Sequence, residues 1–401
     1  MVAEQLPLTR VRSARLAVLG IFLAVGSLAG GVISRVPSVR DDLAVSPGQL
    51  GAILLVGSVG GLVGFSVLGG LVGRWGSRAV LGTTAVCAAG ALLLMAAATA
   101  LGFAPLYAFG LFVGLASLEM TMAIANTQAA AVERHVGSAI MSQFHAGFSL
   151  AMLAGLGLGA VLSGAGVSAA AHFVGIGVIV GGVVSVVARI AIIDDSEGSP
   201  ESAAERPGLF VTVRLATRER RTILLGLIIL AAFTTEVGSS NWIPLALVDD
   251  YGRTEAVAGI VYAGLVLAQS TMRIVGPRWL DRLGRVRTLR ASAVLLAVGS
   301  LTFAFAPQVS IASIALVVWG IGTAFAFPVA LSAAADDPHN ATARVAAVSA
   351  FGSAGGLIVP QVIGLLAEVM EIRHALLLAV VAAAAIFVLA PAARPLSAQG
   401  H

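Results

Sequence analysis

A dozen stretches of about 20 apolar residues follow one another along this chain, and each is long enough to cross a bilayer core as a helix. The stretches are continuous rather than alternating, which excludes a membrane barrel. They place twelve spans at about 16–34, 50–72, 79–101, 105–131, 140–164, 168–192, 223–246, 256–279, 290–307, 309–334, 345–368 and 373–391. With 58% of residues hydrophobic and 11% charged, the composition is far from the roughly 25% charged residues of a soluble domain. The expected fold is an all-α membrane protein.

All 24 basic residues are Arg. Without Lys, the chain has no phosphate-loop lysine, Schiff-base lysine or lysine nucleophile. The single cysteine, Cys87, excludes an internal disulfide and any multi-cysteine metal site. The reading calls for no metal, no cofactor and no enzymatic centre. Under the twelve-span arrangement only Arg35, Arg40, Arg253 and Arg373 fall in loops on one side, and Arg273 falls inside a span. The remaining Arg residues fall on the side that holds both termini, which predicts cytoplasmic termini. The basic character follows topology, so it carries no nucleic-acid role. The first apolar run lacks a cleavage-site pattern and reads as an uncleaved first span.

One long polar stretch, residues 194–221, reads as a cytoplasmic linker between an N-terminal bundle (1–193) and a C-terminal bundle (222–401). The Arg-rich end of the linker (Arg214, Arg218, Arg220, Arg221) is expected along lipid headgroups, with anchoring as its role.

A short turn occurs once in each half. The first copy runs Gly73-Arg74-Trp75-Gly76-Ser77-Arg78 and the second Asp281-Arg282-Leu283-Gly284-Arg285. Laying Arg74 on Arg282 also lays Gly76 on Gly284, Leu81 on Leu289 and Gly51 on Gly259. Two like halves are the build of alternating-access transporters, which bind substrate at the repeat interface. Glycines let helix ends pack closely, and arginines can bond helix carbonyls or a neighbouring carboxylate. Gly73, Arg74, Gly76, Arg78, Asp281, Arg282, Gly284 and Arg285 are therefore read as structural or gating residues rather than substrate ligands.

With twelve spans, a central loop and the repeated turn, the chain resembles the major facilitator superfamily over nearly its whole length. The resemblance implies two pseudo-symmetric six-helix bundles. The family's turn reads Gly-x-x-x-Asp-Arg-x-Gly-Arg, and this chain departs from it. Gly73 stands at the first Asp position with Gly69 upstream, and in the second copy the upstream glycine is one step early, at Gly276. Asp281 is the expected source of the gate ion pair that Gly73 cannot make.

Ser34-Arg35-Val36-Pro37, Asn126-Thr127-Gln128, Val132-Glu133-Arg134, Phe144-His145-Ala146, Glu236-Val237-Gly238 and Asn241-Trp242 narrow the likeness. They resemble a bacterial inner-membrane branch distantly akin to fucose-permease-like sugar symporters. That likeness implies a sugar or other small polar metabolite, proton coupling and a monomer in the bacterial plasma membrane.

Ionisable groups at membrane depth are functional candidates by default, because each costs about 2.5–3.5 kcal/mol on insertion scales. Glu119 and Asn126 share a face of the fourth span; they line a cavity as ligand or proton carrier, or they hold spans together. His145, with Ser142 and Ser149 on its face, is a ligand or proton carrier, or a packing histidine. His172 and His135 read as bystanders. Glu236 opens the most polar stretch at membrane depth, continuing through Ser239, Ser240, Asn241 and Trp242, and is the leading coupling or substrate residue. Trp242 either stacks on a sugar or marks the interface belt. Pro244 is expected to disturb that helix, and Pro328 and Pro360-Gln361 to interrupt the tenth and eleventh spans. Arg273 either pairs with an acid of another span or snorkels to the surface.

These residues point to a secondary transporter of a small polar solute. A drug–proton antiporter is the rival within transport, although the fifth span lacks the antiporter Gly-Pro motif. A non-transporting membrane sensor is the rival of another class.

Overall fold

The computed structural model describes residues 7–136, 140–192, 219–336 and 341–395. The linker therefore lies almost wholly outside the described residues, as do Arg214 and Arg218. The chain divides into two compact units, residues 1–46 with 52–206, and residues 47–51 with 207–401. The described residues of both units are helical, with no strand among them.

The first unit holds α1 (Leu8–Ile33), α2 (Val36–Leu43), α3 (Pro47–Leu101, apart from its first residues), α4 (Ala104–Val136), α5 (Met141–Gly164) and α6 (Ala169–Ala191). At 55 residues α3 is far too long for a single crossing, since about 20 residues suffice. It breaks at Gly76, where φ is 78° and ψ 154°, and so supplies the second and third spans. Eleven helices among the described residues are long and apolar enough to cross a membrane. Counting α3 twice gives the twelve spans expected from sequence.

The α1 helix packs along α5 and α6. Small residues allow this, as in most membrane helix pairs. A Cβ on Gly30 would sit 2.1 Å from the Met152 carbonyl oxygen of α5. Around this crossing Ile21, Phe22, Phe144 and Phe173 form the buried centre. Arg35, which the topology count treats as a loop residue, is instead fully buried and donates to the carbonyl of Val167.

The second unit holds α7 (Arg220–Asp249), α8 (Glu255–Val275), α9 (Pro277–Phe305), α10 (Val309–Thr323), α11 (Ala326–Ala334), α12 (Ala341–Ala367), α13 (Ile372–Ala375), α14 (Leu378–Leu389) and a closing 3-10 turn (Ala390–Ala393). The main packing pairs are α7 with α12 and α9 with α10. α9 breaks at Gly284, with φ 75° and ψ 163°, nearly the same values as at Gly76. The repeat read from sequence is thus a repeat in backbone geometry.

The prolines correct three expectations. α7 and α12 run through Pro244 and Pro360 without interruption. The tenth span does break, but at Ala324–Phe325, ahead of Pro328. Pro328 then falls in the first turn of α11, where its missing N–H leaves no helix bond unmade.

Many large apolar side chains point outward, among them Leu150, Val161, Val178, Ile274 and Ile314. In water such a surface would be unfavourable, whereas against lipid tails it is neutral.

Candidate functional site

The polar groups at membrane depth fall into a set in each unit. In the second unit, Glu236 lies in the middle of α7 and Arg273 in the last turn of α8. Nη2 of Arg273 is 3.4 Å from both carboxylate oxygens of Glu236. Of the two readings for Arg273, its side chain takes the pairing one. The position also suits a cation, because the C-terminal end of α8 carries partial negative charge. Both side chains remain open, Arg273 at 37% and Glu236 at 43% exposure. Lipid would leave both charges unsolvated, which makes the open pair a candidate for the transport path.

The neighbours extend this polar surface. Buried Tyr262 of α8 stands beside Ser239, Ser240 and Glu236. The hydroxyls of Ser239 and Ser240 donate to the Glu236 and Val237 carbonyls of their own helix, and the Asn241 amide donates to the Val237 carbonyl. The Asn241 carbonyl oxygen has no partner among the described residues. One turn before Arg273, Gln269 donates to Thr323 Oγ1 of α10 at 3.2 Å. Trp242 is fully buried over Gly364 of α12, its ring carbon 3.2 Å from where a Cβ there would lie. In this conformation it neither stacks on a ligand nor marks the interface. Tyr262 was missed in the sequence, because it stands in the apolar run Gly259–Val266 and only the α7–α8 packing brings it to Glu236.

In the first unit, Glu119 of α4 is exposed, with its stem against Gly61 of α3. Among the described residues its carboxylate has no hydrogen bond or ion pair. Asn126 donates back to the Met122 carbonyl, and its own carbonyl oxygen has no partner among the described residues. His145 is exposed and meets Phe22 edge-on, ring centres 5.2 Å apart. Ser149 is half-buried, and the Ser142 side chain lies outside the described residues.

The two turns behave differently. Gly73, Arg74 and Arg78 are exposed, and neither Arg has a side-chain partner among the described residues. In the second copy Asp281 and Arg282 are likewise exposed and unpaired. Asp281 is therefore not seen making the ion pair expected of it, and the carboxylate that pairs with an arginine of this turn is Asp336, which follows α11. Arg285 Nη1 lies 2.8 Å from both Asp336 oxygens, and Arg221 Nη2 lies 2.8 Å from one of them. Arg285 also donates to Ser332. Burial alone would push the Asp336 carboxyl up, but the hydrogen bonds and charges of Arg285 and Arg221 outweigh it and hold it below the usual carboxylate range.

Comparison with known proteins identifies the family and the fold. The Major Facilitator Superfamily profile matches residues 225–401. An uncharacterised transporter of Sinorhizobium fredii, y4wD, is 30% identical over 377 residues, covering 92% of this chain and 95% of its own. The chain belongs to the major facilitator superfamily. It is a multi-pass membrane protein of a transporter family and not an enzyme. Solved structures share the fold at low identity. The nucleoside transporter NupG gives a TM-score of 0.71 at 14% identity, covering 96% of this chain and 98% of that one. A D-xylose-proton symporter gives 0.72 at 14%, covering 96% and 99%. FucP in an outward conformation gives 0.64 at 18%, covering 94% and 97%.

Proposed function

We propose that this protein is a secondary active transporter that moves a small polar organic solute, a sugar or related metabolite, by alternating access and with proton coupling. The observation that carries the reading is the open Glu236–Arg273 pair beside Tyr262 and the Ser239–Asn241 stretch. A carboxylate whose partner is a guanidinium can exchange that partner for a proton, and a solute hydroxyl can take the hydrogen bonds released. Arg273 keeps its charge throughout, so Glu236 is the member that changes state. In this reading Glu119 is a second carboxylate of the transport path, and Asn126, His145 and Asn241 supply further polar contacts. Names among the structural relatives, a nucleoside transporter and a D-xylose-proton symporter, fit a polar cargo. The reading includes a bacterial inner-membrane location, cytoplasmic termini, a cytoplasmic linker over 194–221 and a monomeric working unit.

The test uses purified protein in proteoliposomes loaded with a pH-sensitive dye and challenged with sugars, nucleosides, amino acids and organic acids. The expected result is acidification of the lumen on adding one class of polar solute, lost in Glu236→Gln. Proton movement only on adding lipophilic cations would make the protein a drug–proton antiporter. Binding of a solute without flux would make it a sensor.

A further inference from the structure

At the end of the second unit where α7 begins, the chain's closing 3-10 turn folds back beside it. Arg221 ties the two together. Its Nε donates to the Ala392 carbonyl at 3.0 Å and its Nη2 to the Arg394 carbonyl at 2.9 Å, besides the bond to Asp336. Arg344 is held by Glu219 at 2.7 Å. These contacts leave two guanidinium groups over. Arg220 and Arg394 are exposed, and among the described residues neither side chain has a hydrogen bond or ion pair.

Both line one cavity of about 430 Å³ together with Arg221, Leu224, Pro391 and Pro395. Among the described residues, three arginines and no carboxylate line it. A second cavity of about 340 Å³ shares Arg220 and Arg221 and reaches Arg344 together with Glu219, the carboxylate that Arg344 engages. The one carboxylate bonded to Arg221, on Asp336, is also engaged by Arg285, so local charge stays positive. Guanidinium groups in this arrangement match phosphate oxygens, to which they donate in forked pairs.

The setting points to the source of the phosphate. Arg220 opens α7 three positions before its apolar run begins at Ile223, and Arg394 follows the closing turn of the last span, positions that in a bilayer fall near the headgroups. Leu224, Pro391 and Pro395 give the cavity an apolar wall suited to glycerol and the first acyl carbons. Basic pockets between membrane helices hold anionic headgroups by this combination.

We infer that Arg220 and Arg394, backed by Arg221, form a binding site for a phosphate ester, supplied by the headgroup of an anionic phospholipid. The lipid bridges the first and last helices of the second unit, adding to the tie that Arg221 makes.

The test titrates the full-length protein in neutral detergent with short-chain phosphatidylglycerol, phosphatidylcholine and soluble glycerol phosphate, reading bound lipid by native mass spectrometry and melting temperature in parallel. Phosphatidylglycerol is expected to bind and stabilise, and phosphatidylcholine to do so far less. The Arg220→Gln/Arg394→Gln pair should weaken phosphatidylglycerol binding about thirtyfold, as loss of two headgroup-level arginines implies. Arg220→Lys/Arg394→Lys should restore part of it, the charge without the fork, which separates lost charge from lost fold. Equal binding of the two lipids, or undiminished binding in the Gln pair, would overturn the site. Equal stabilisation by glycerol phosphate would overturn the lipid as its source.

Discussion

At the scale of residues, the Glu236–Arg273 pair is too open to be a major source of stability. Ion pairs this accessible contribute about 0–1 kcal/mol. Glu236→Gln and Arg273→Gln should therefore melt within a few degrees of wild type while each slowing solute flux tenfold or more, about 1.4 kcal/mol in barrier. A large stability loss with flux preserved would make the pair structural. Asp336 is the opposite case, mostly buried and held by two arginines. Asp336→Asn should destabilise by about 2 kcal/mol at neutral pH. Because its carboxyl is held below the ordinary value, near 4, that stabilisation is present at higher pH and is lost as acid protonates it. The Asn variant should accordingly lose less stability than wild type between neutrality and about pH 3, as read from melting temperature. Glu236 and Arg273 were legible as isolated ionisable residues in apolar runs. Their partnership was not, because 37 positions separate them and only the packing of α7 on α8 joins them. Asp336 sits where a span gives way to a loop, so nothing in the sequence singled it out.

At the scale of elements, the matched breaks at Gly76 and Gly284 carry a sharp expectation. Both combine positive φ with ψ near 160°, a region essentially reserved for glycine. A Cβ at either would meet nothing within 4 Å, so any loss on substitution is backbone strain rather than crowding. Gly76→Ala and Gly284→Ala should each cost about 1–3 kcal/mol. Gly82→Ala, in open space within a regular helix, should be neutral or stabilising. Thermal melts of the three variants decide it, and equal behaviour would remove the strain argument. These breaks were readable because the two copies align residue by residue. The exact course of the proline-bearing helices was not. Pro244 and Pro360 each remove one helix bond, yet α7 and α12, which pack on each other, continue through them as single helices.

At the scale of the whole molecule, the span count and the helical class were available from the apolar runs alone, since a bilayer core permits few alternatives. The Arg asymmetry adds an expectation for orientation. Reporter fusions after residue 395 should give cytoplasmic signals, and a periplasmic signal would reverse the assignment. Solute identity was not legible, because it depends on how a few polar side chains converge in space. The most direct measurement is a thermal-shift screen of the detergent-purified protein against sugars, nucleosides, amino acids, organic acids and lipophilic cations, run in parallel on wild type and Glu236→Gln. A ligand at a hundredfold excess over its Kd adds about 2.7 kcal/mol of stability. The account predicts that one class of polar solute raises the melting temperature of wild type and fails to raise that of Glu236→Gln. Stabilisation that survives in the variant, or that comes from lipophilic cations alone, would contradict it.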